Sequence, residues 1–90
     1  MGKAIDHDEQ IARDSARERI RNYLDDHGLT EREFANLIGW QRASLHNYLA
    51  DMADLPAWVY PNVAQVMQTT KTELRRPLGP SDYLKEEKHG

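Results

Sequence analysis

Cysteine is absent from the chain, which removes a disulfide framework and any thiolate metal site and leaves the redox compartment unread. Long apolar runs are absent too. Among the longest is Leu55 to Tyr60, far short of the roughly 20 residues that span a bilayer, so no membrane partner is expected. Asp6, Asp8 and Glu9 interrupt the start, so it does not read as a secretory leader, and a cytoplasmic location is expected. Positive charge is scarce: 12 basic against 15 acidic residues give a net charge of −3, not the basic excess that often marks a nucleic-acid binder. No Ser/His/Asp set, phosphate-cradling glycine loop or activated nucleophile is recognisable. The carboxylate pairs Asp25-Asp26 and Glu86-Glu87 read as solvated ends. His7, His27 and His89 lack ligand spacing. The chain is therefore not expected to be an enzyme or to need a metal or cofactor.

What remains is one small domain. Hydrophobic residues make up 39% and charged residues 30%, a balance that fits a compact core with polar ends. Such a core buries only about 60–65% of the surface that the unfolded chain exposes. The expected division is a flexible arm over 1–8, a folded domain over 9–77 and a polar tail over 78–90.

Within that domain the apolar spacing is helical. Ala12, Ala16, Ile20, Tyr23 and Leu24 recur at three- and four-residue steps and predict a first helix from Glu9, with Asp8 as N-cap. Most of its arginines are assigned to other faces. Gly28 stops it in a left-handed conformation. Thr30 and Glu33 stand at the spacing of a capping box and open a second helix with Phe34, Leu37 and Ile38 inward and Ala35 beside them. After Gly39, Trp40 and Gln41, a third helix covers about Arg42 to Ala50, with Leu45, Tyr48 and Leu49 inward. Two short helices joined by so tight a turn must cross steeply. Pro61 suits a first-turn position and opens a fourth helix to about Gln68, burying Val63, Val66 and Met67. Thr70 and Glu73 repeat the capping spacing for a short fifth helix, which Pro77 stops. The expected fold class is all-α, with five helices.

The run GLTEREFANLIGWQRASLHNYLA resembles the helix-turn-helix of the Cro and phage-repressor (XRE-like) family. The resemblance rests on Gly28-Leu29-Thr30, Ala35, Gly39 and Leu45, and on the later Ala64, Met67, Thr70, Glu73 and Leu74. It covers about Ile20 to Leu74. Ala35 must be small where the helices cross, Gly39 must take positive φ, and Leu45 must plug the core beneath. The resemblance implies a compact lambda-repressor-like domain with the motif at helices 2 and 3. Glu31 stands where members often carry a phosphate-binding Gln. Gln41 replaces a Ser or Thr cap, a loss of about 1 kcal/mol, and Trp40 is large for the turn. Where many members pair a buried Arg with a Glu, this chain has Leu24 and Leu49. Such an exchange is often neutral or stabilising, so the two leucines are expected to pack together.

By that resemblance the third helix enters the major groove of double-stranded DNA and presents Gln41, Arg42, Ala43, His46 and Asn47 to base edges. The chemistry is suitable. Arg42 can pair with guanine O6 and N7, and Gln41 or Asn47 with adenine N6 and N7. No carboxylate lies between Gln41 and Ala50. Thr30, Arg32, Ser44 and the Tyr48 hydroxyl are expected at phosphates. Trp58, Val59 and Tyr60 are three large residues in a row, and at least one should point outward to form a homodimer contact. The function expected is a sequence-specific transcriptional regulator, a repressor of phage or bacterial type on a palindromic operator. The alternative is a protein-interaction module, such as an antitoxin or antirepressor. The acidic balance of Glu31, Glu33, Asp51 and Asp54 over Arg32 and Arg42 favours that alternative.

Overall fold

The computed structural model describes residues 7–79. They form five helices and no strand: α1 (His7–His27), α2 (Glu31–Ile38), α3 (Arg42–Leu49), α4 (Tyr60–Met67) and α5 (Lys71–Arg75). α1 packs on α5 and α3, α2 on α3 and α4, and α4 on α5. No helix among the described residues is long and apolar enough to cross a membrane. The tail expected over 78–90 lies almost wholly outside the described residues, as does the arm up to residue 6.

Each boundary has a local cause. α1 is already helical at His7, the first described residue, so Asp8 lies within the helix and not before it as a cap, and Asp8 and Glu9 stand in its first described turn, where carboxylates suit the positive end of a helix dipole. It ends at Gly28, whose φ is +63°. Beyond it the Leu29 amide returns to the Leu24 carbonyl at 2.9 Å, a Schellman closure. The α2 capping box is complete: the Glu33 amide donates to Thr30 Oγ1 at 3.1 Å, and the Thr30 amide donates to Glu33 Oε1 at 2.9 Å. Gly39 at φ +71° closes that helix, and the Trp40 amide reaches the Ala35 carbonyl at 2.9 Å. Gln41 caps α3 with backbone alone, since its side chain makes no cap bond. α4 opens one residue earlier than Pro61 and is closed by Gln68 in the left-handed region. Thr70 accepts from the Glu73 amide to start α5, and Arg76 is already extended ahead of Pro77.

The core gathers one face from every helix. Ile20, Phe34, Ile38, Leu45, Tyr48, Val59, Val63 and Leu74 are fully buried, and Ala16 and Ala35 are the small residues among them. Three sequence expectations need correction. Leu37 is exposed, because Phe34 and Ile38 already turn the inner face of the two-turn α2 toward the core. Val66 and Met67 are only half-buried, and Ala64 takes the inner position beside Val63. Leu24 and Leu49 are both buried as expected and line one shallow cleft with Leu29.

The largest departure is Arg17, which is 5% exposed. It belongs to the apolar stripe by spacing, at i, i+3 and i+7 with Ile20 and Leu24. Its Nε donates to the Tyr48 carbonyl at 2.9 Å, and its terminal nitrogens reach Asp14 at 3.0 Å and Asp51 at 3.1 Å. The guanidinium carbon also lies 5.1 Å from the Tyr48 ring centroid, within cation–π range. One turn on, Arg21 donates to the Leu49 carbonyl. Two arginines of α1 thus cap the carbonyls at the C-terminus of α3, where positive charge suits the dipole. Asp51, at φ +64°, turns the chain away while its carboxylate meets Arg17. Elsewhere on α1, Arg19 donates to the carbonyls of Leu74 and Arg76, and Glu9 near its start pairs with Arg75. α5 is held by polar contacts as much as by Leu74.

Arg17→Ala should cost about 2–4 kcal/mol, combining a charge-assisted bond to a carbonyl with a helix-end contribution. A melting temperature lower by roughly 10–20 °C is then expected. Asp51→Asn, whose carboxylate is 72% exposed, should cost under about 1 kcal/mol. Calorimetry on the two variants checks the contrast.

The Glu9 carboxyl is held below the ordinary glutamate range, first by its hydrogen bond from Arg75 and then, against some desolvation, by the charges of Arg75 and Arg13. A carboxyl with a depressed folded-state pKa stabilises the fold above its unfolded value, and that contribution disappears as pH falls through the folded value. Thermal melts of wild type and Glu9→Gln should therefore differ at neutral pH and converge in acid below the ordinary glutamate range.

Candidate nucleic-acid interface

α3 is amphipathic over only two turns, so its inner and outer faces are sharply separated. Leu45, Tyr48 and Leu49 are buried, and Gln41, Arg42, Ala43, His46 and Asn47 are exposed. The five residues expected at base edges are therefore all exposed, Gln41 as the N-cap and the other four on α3. Ser44 is half-buried at its margin, and Thr30 and Arg32 are exposed at the start of α2. Gly39 and Trp40 set the crossing of the two helices. Trp40 is half-buried against the core, its ring centroid 6.4 Å from that of Tyr48. The large turn residue is thereby accommodated as a plug. Asn62 of α4 donates to the Ile38 carbonyl at 3.0 Å and secures the end of α2 from behind.

Two expected phosphate contacts change character. Tyr48 is 1% exposed and its hydroxyl is buried, so it cannot meet a phosphate; its ring lies beneath Arg17, inside the core. The hydroxyl has no hydrogen-bond partner among the described residues, a circumstance that costs about 1–3 kcal/mol. Burial, with Tyr60 next, pushes the Tyr48 phenol above the usual tyrosine range. Thr30 is exposed, but its oxygen already accepts from the Glu33 amide, so only its hydroxyl proton is left for an outside oxygen.

Glu31 and His46 meet across the two helices, with Nδ1 3.0 Å from Oε1. Sequence spacing gave no sign of this pair, since the partners are 15 residues apart. One edge of the His46 ring is committed to Glu31 and the opposite edge stays open. The same contact draws the Glu31 carboxylate toward α3. Arg42, by contrast, makes no ion pair among the described residues, and its guanidinium faces solvent from the first turn of α3.

The dimer expectation is also reduced. Val59 and Tyr60 are buried within their own chain, at 0% and 5% exposure, as members of the hydrophobic core. Of the three, Trp58 alone faces outward, 58% exposed, and Met52 in the same connection is 67% exposed. Among the described residues no cluster of His, Asp or Glu is arranged to hold a metal ion. Hydrophobicity alone does not single out Arg17 and Arg21, although Arg17 stands at a stripe position by spacing. No family model matches the sequence, and comparison with curated proteins and with solved structures gives no match.

Proposed function

We propose that this chain is a sequence-specific DNA-binding transcriptional regulator, a repressor of phage or bacterial type. In this reading α2 and α3 form a helix-turn-helix of the Cro and lambda-repressor kind. The observation that carries it is the outer face of α3. Gln41, Arg42, Ala43, His46 and Asn47 stand exposed together with no carboxylate of that helix among them, which is the donor, acceptor and methyl chemistry that reads a major groove. Thr30, Arg32 and Ser44 flank that face and would meet phosphates, which position the protein without specifying sequence.

A single domain of this size touches few base pairs. Pairing two copies about 34 Å apart, one turn of B-DNA, would let them read a palindrome. Trp58 and Met52, exposed in the connection after α3, are apolar groups available for that pairing. The same exposed groups, with the net charge of −3, favour the second reading, a module that binds another protein. The two readings differ in a simple experiment: a gel-shift titration against DNA upstream of the chain's own gene, at two salt concentrations. Binding that weakens steeply with salt is expected as counterion release is lost.

In that titration Arg42→Ala should weaken operator binding by about 1–3 kcal/mol, roughly 5- to 150-fold, and erase preference at one base pair. Unchanged affinity would remove Arg42 from recognition. For the dimer, sedimentation of wild type and Trp58→Ala, with and without operator, is the check. The wild type should bind as a dimer and the variant should dissociate. A wild type that occupies one half-site as a monomer refutes the pairing.

A further inference from the structure

An imidazole can offer a partner either a proton or a lone pair, and the choice is set by what its other nitrogen holds. His46 Nδ1 lies 3.0 Å from Oε1 of Glu31. An ionised carboxylate has no proton to give and only accepts, so Nδ1 is the donor in that contact. A neutral ring carries a single N–H, which leaves Nε2 at the opposite edge with a lone pair. The His46 side chain is 56% exposed, and Nε2 makes no hydrogen bond among the described residues.

Glu31 can hold its place because α2 is fixed at both ends. The capping box locks Thr30 and Glu33, the Trp40 amide closes the turn on Ala35, and Asn62 binds the Ile38 carbonyl. Arg21 and Asp25 border the same cleft as Glu31 and His46. Arg21 is turned to Glu18 and to the Leu49 carbonyl. Asp25 is a second carboxylate on that side and, like Glu31, can only accept, so it does not reverse the direction of the proton.

We propose that Glu31 is a positioning residue that sets His46 as an acceptor. On double-stranded DNA this position then selects a base amino group, cytosine N4 or adenine N6. It rejects guanine and thymine, whose major-groove edges offer acceptors and no donor. The base choice rests on the DNA-binding reading of α3; the tautomer does not. Arg42, four residues earlier on the same stripe of α3, offers donors alone, so the two side chains ask for opposite chemistry. Glu31→Ala removes the acceptor that holds the proton on Nδ1. A neutral imidazole free in water favours the proton on Nε2, and the same ring then donates.

Two measurements on the full chain test this, both at about pH 8.5, on the alkaline side of ordinary histidine titration. Long-range proton–nitrogen NMR should show the His46 proton on Nδ1 in the wild type and largely on Nε2 in Glu31→Ala. Selection from a pool of random-sequence duplexes gives the base preferences, with His46→Ala marking the base pair that His46 reads. There the wild type should favour cytosine or adenine over guanine by about fivefold, the worth of one net hydrogen bond. Glu31→Ala should lose or reverse that preference, whatever it does to total affinity, and keep the preference at the Arg42 position. A purely structural or electrostatic role for Glu31 would change melting temperature or affinity and leave tautomer and base choice in place. Thermal melting should show both variants folded. A proton on Nε2 in the wild type, or the same base preference in wild type and Glu31→Ala, overturns the inference and leaves the DNA-binding reading standing. A wild type that enriches no sequence overturns that reading, and the base choice with it.

Discussion

A single buried guanidinium holds the geometry on which the rest of this domain depends. α3 has two turns, no side-chain cap at Gln41 and no basic residue but His46 near its end, so it has little stability of its own; isolated helices of this length are marginal in water. Arg17 supplies what α3 lacks from outside. It binds the Tyr48 carbonyl, packs over the Tyr48 ring and holds Asp51 at the turn. The charge is not buried in isolation, because Asp14 and Asp51 remain largely solvated while they partner it. That arrangement avoids much of the desolvation cost that makes fully buried ion pairs weak stabilisers.

Fixing α3 from its inner and C-terminal side leaves its outer face free of structural duty. The side chains of Gln41, Arg42 and Asn47 make no hydrogen bond within the described residues that the fold needs, so they can be chosen for a partner. His46 is the exception, since Glu31 holds one edge of its ring. The same division of labour explains Leu24 and Leu49. Arg17, two turns before Leu24, and Arg21 already satisfy the carbonyls at the end of α3. A charged pair at the leucine positions is not required, and apolar packing fills the space at no polar cost.

The parts of this fold that were legible in the sequence are those governed by local rules. Gly28 and Gly39 stop helices because their positive φ suits glycine. Thr30 and Thr70 cap because their oxygen reaches an amide three residues on. Hidden features were non-local or ambiguous by residue type. Arg17 was sorted with surface arginines although it stands in the stripe, because its partner carbonyl lies 31 residues away. Leu37 looked like core and Tyr48 like half-surface; only the tertiary position of α2 and α3 decides both. Asp51 and Gln68 close helices in the left-handed region without being glycine, and neither carries a marker that would single it out beforehand. Of the outer face of α3, exposure was read correctly for all five residues. Of the flanking residues, Tyr48, Val59 and Tyr60 turned inward.

The acidity of the chain acquires a different meaning once the pairs are placed. Glu9 is matched by Arg75 and Arg13, Asp54 by Arg13, Asp14 and Asp51 by Arg17, and Glu73 by Arg76. Glu9 joins α1 to α5, Asp51 joins it to the end of α3 and Asp54 joins it to the connection before α4, while Asp14 and Glu73 pair with arginines three residues on. The charged side chains of α2 and α3 themselves are Glu31, Arg32, Glu33 and Arg42, with Glu31 turned to His46, a local balance distinct from the net charge of the whole molecule. Surface potential acts over roughly a Debye length, about 8 Å at physiological salt. A chain that is acidic in sum can therefore present a locally balanced pair of helices. Arg13 and Arg17 draw Glu9, Asp14, Asp51 and Asp54 toward α1, so those four carboxylates are partnered there.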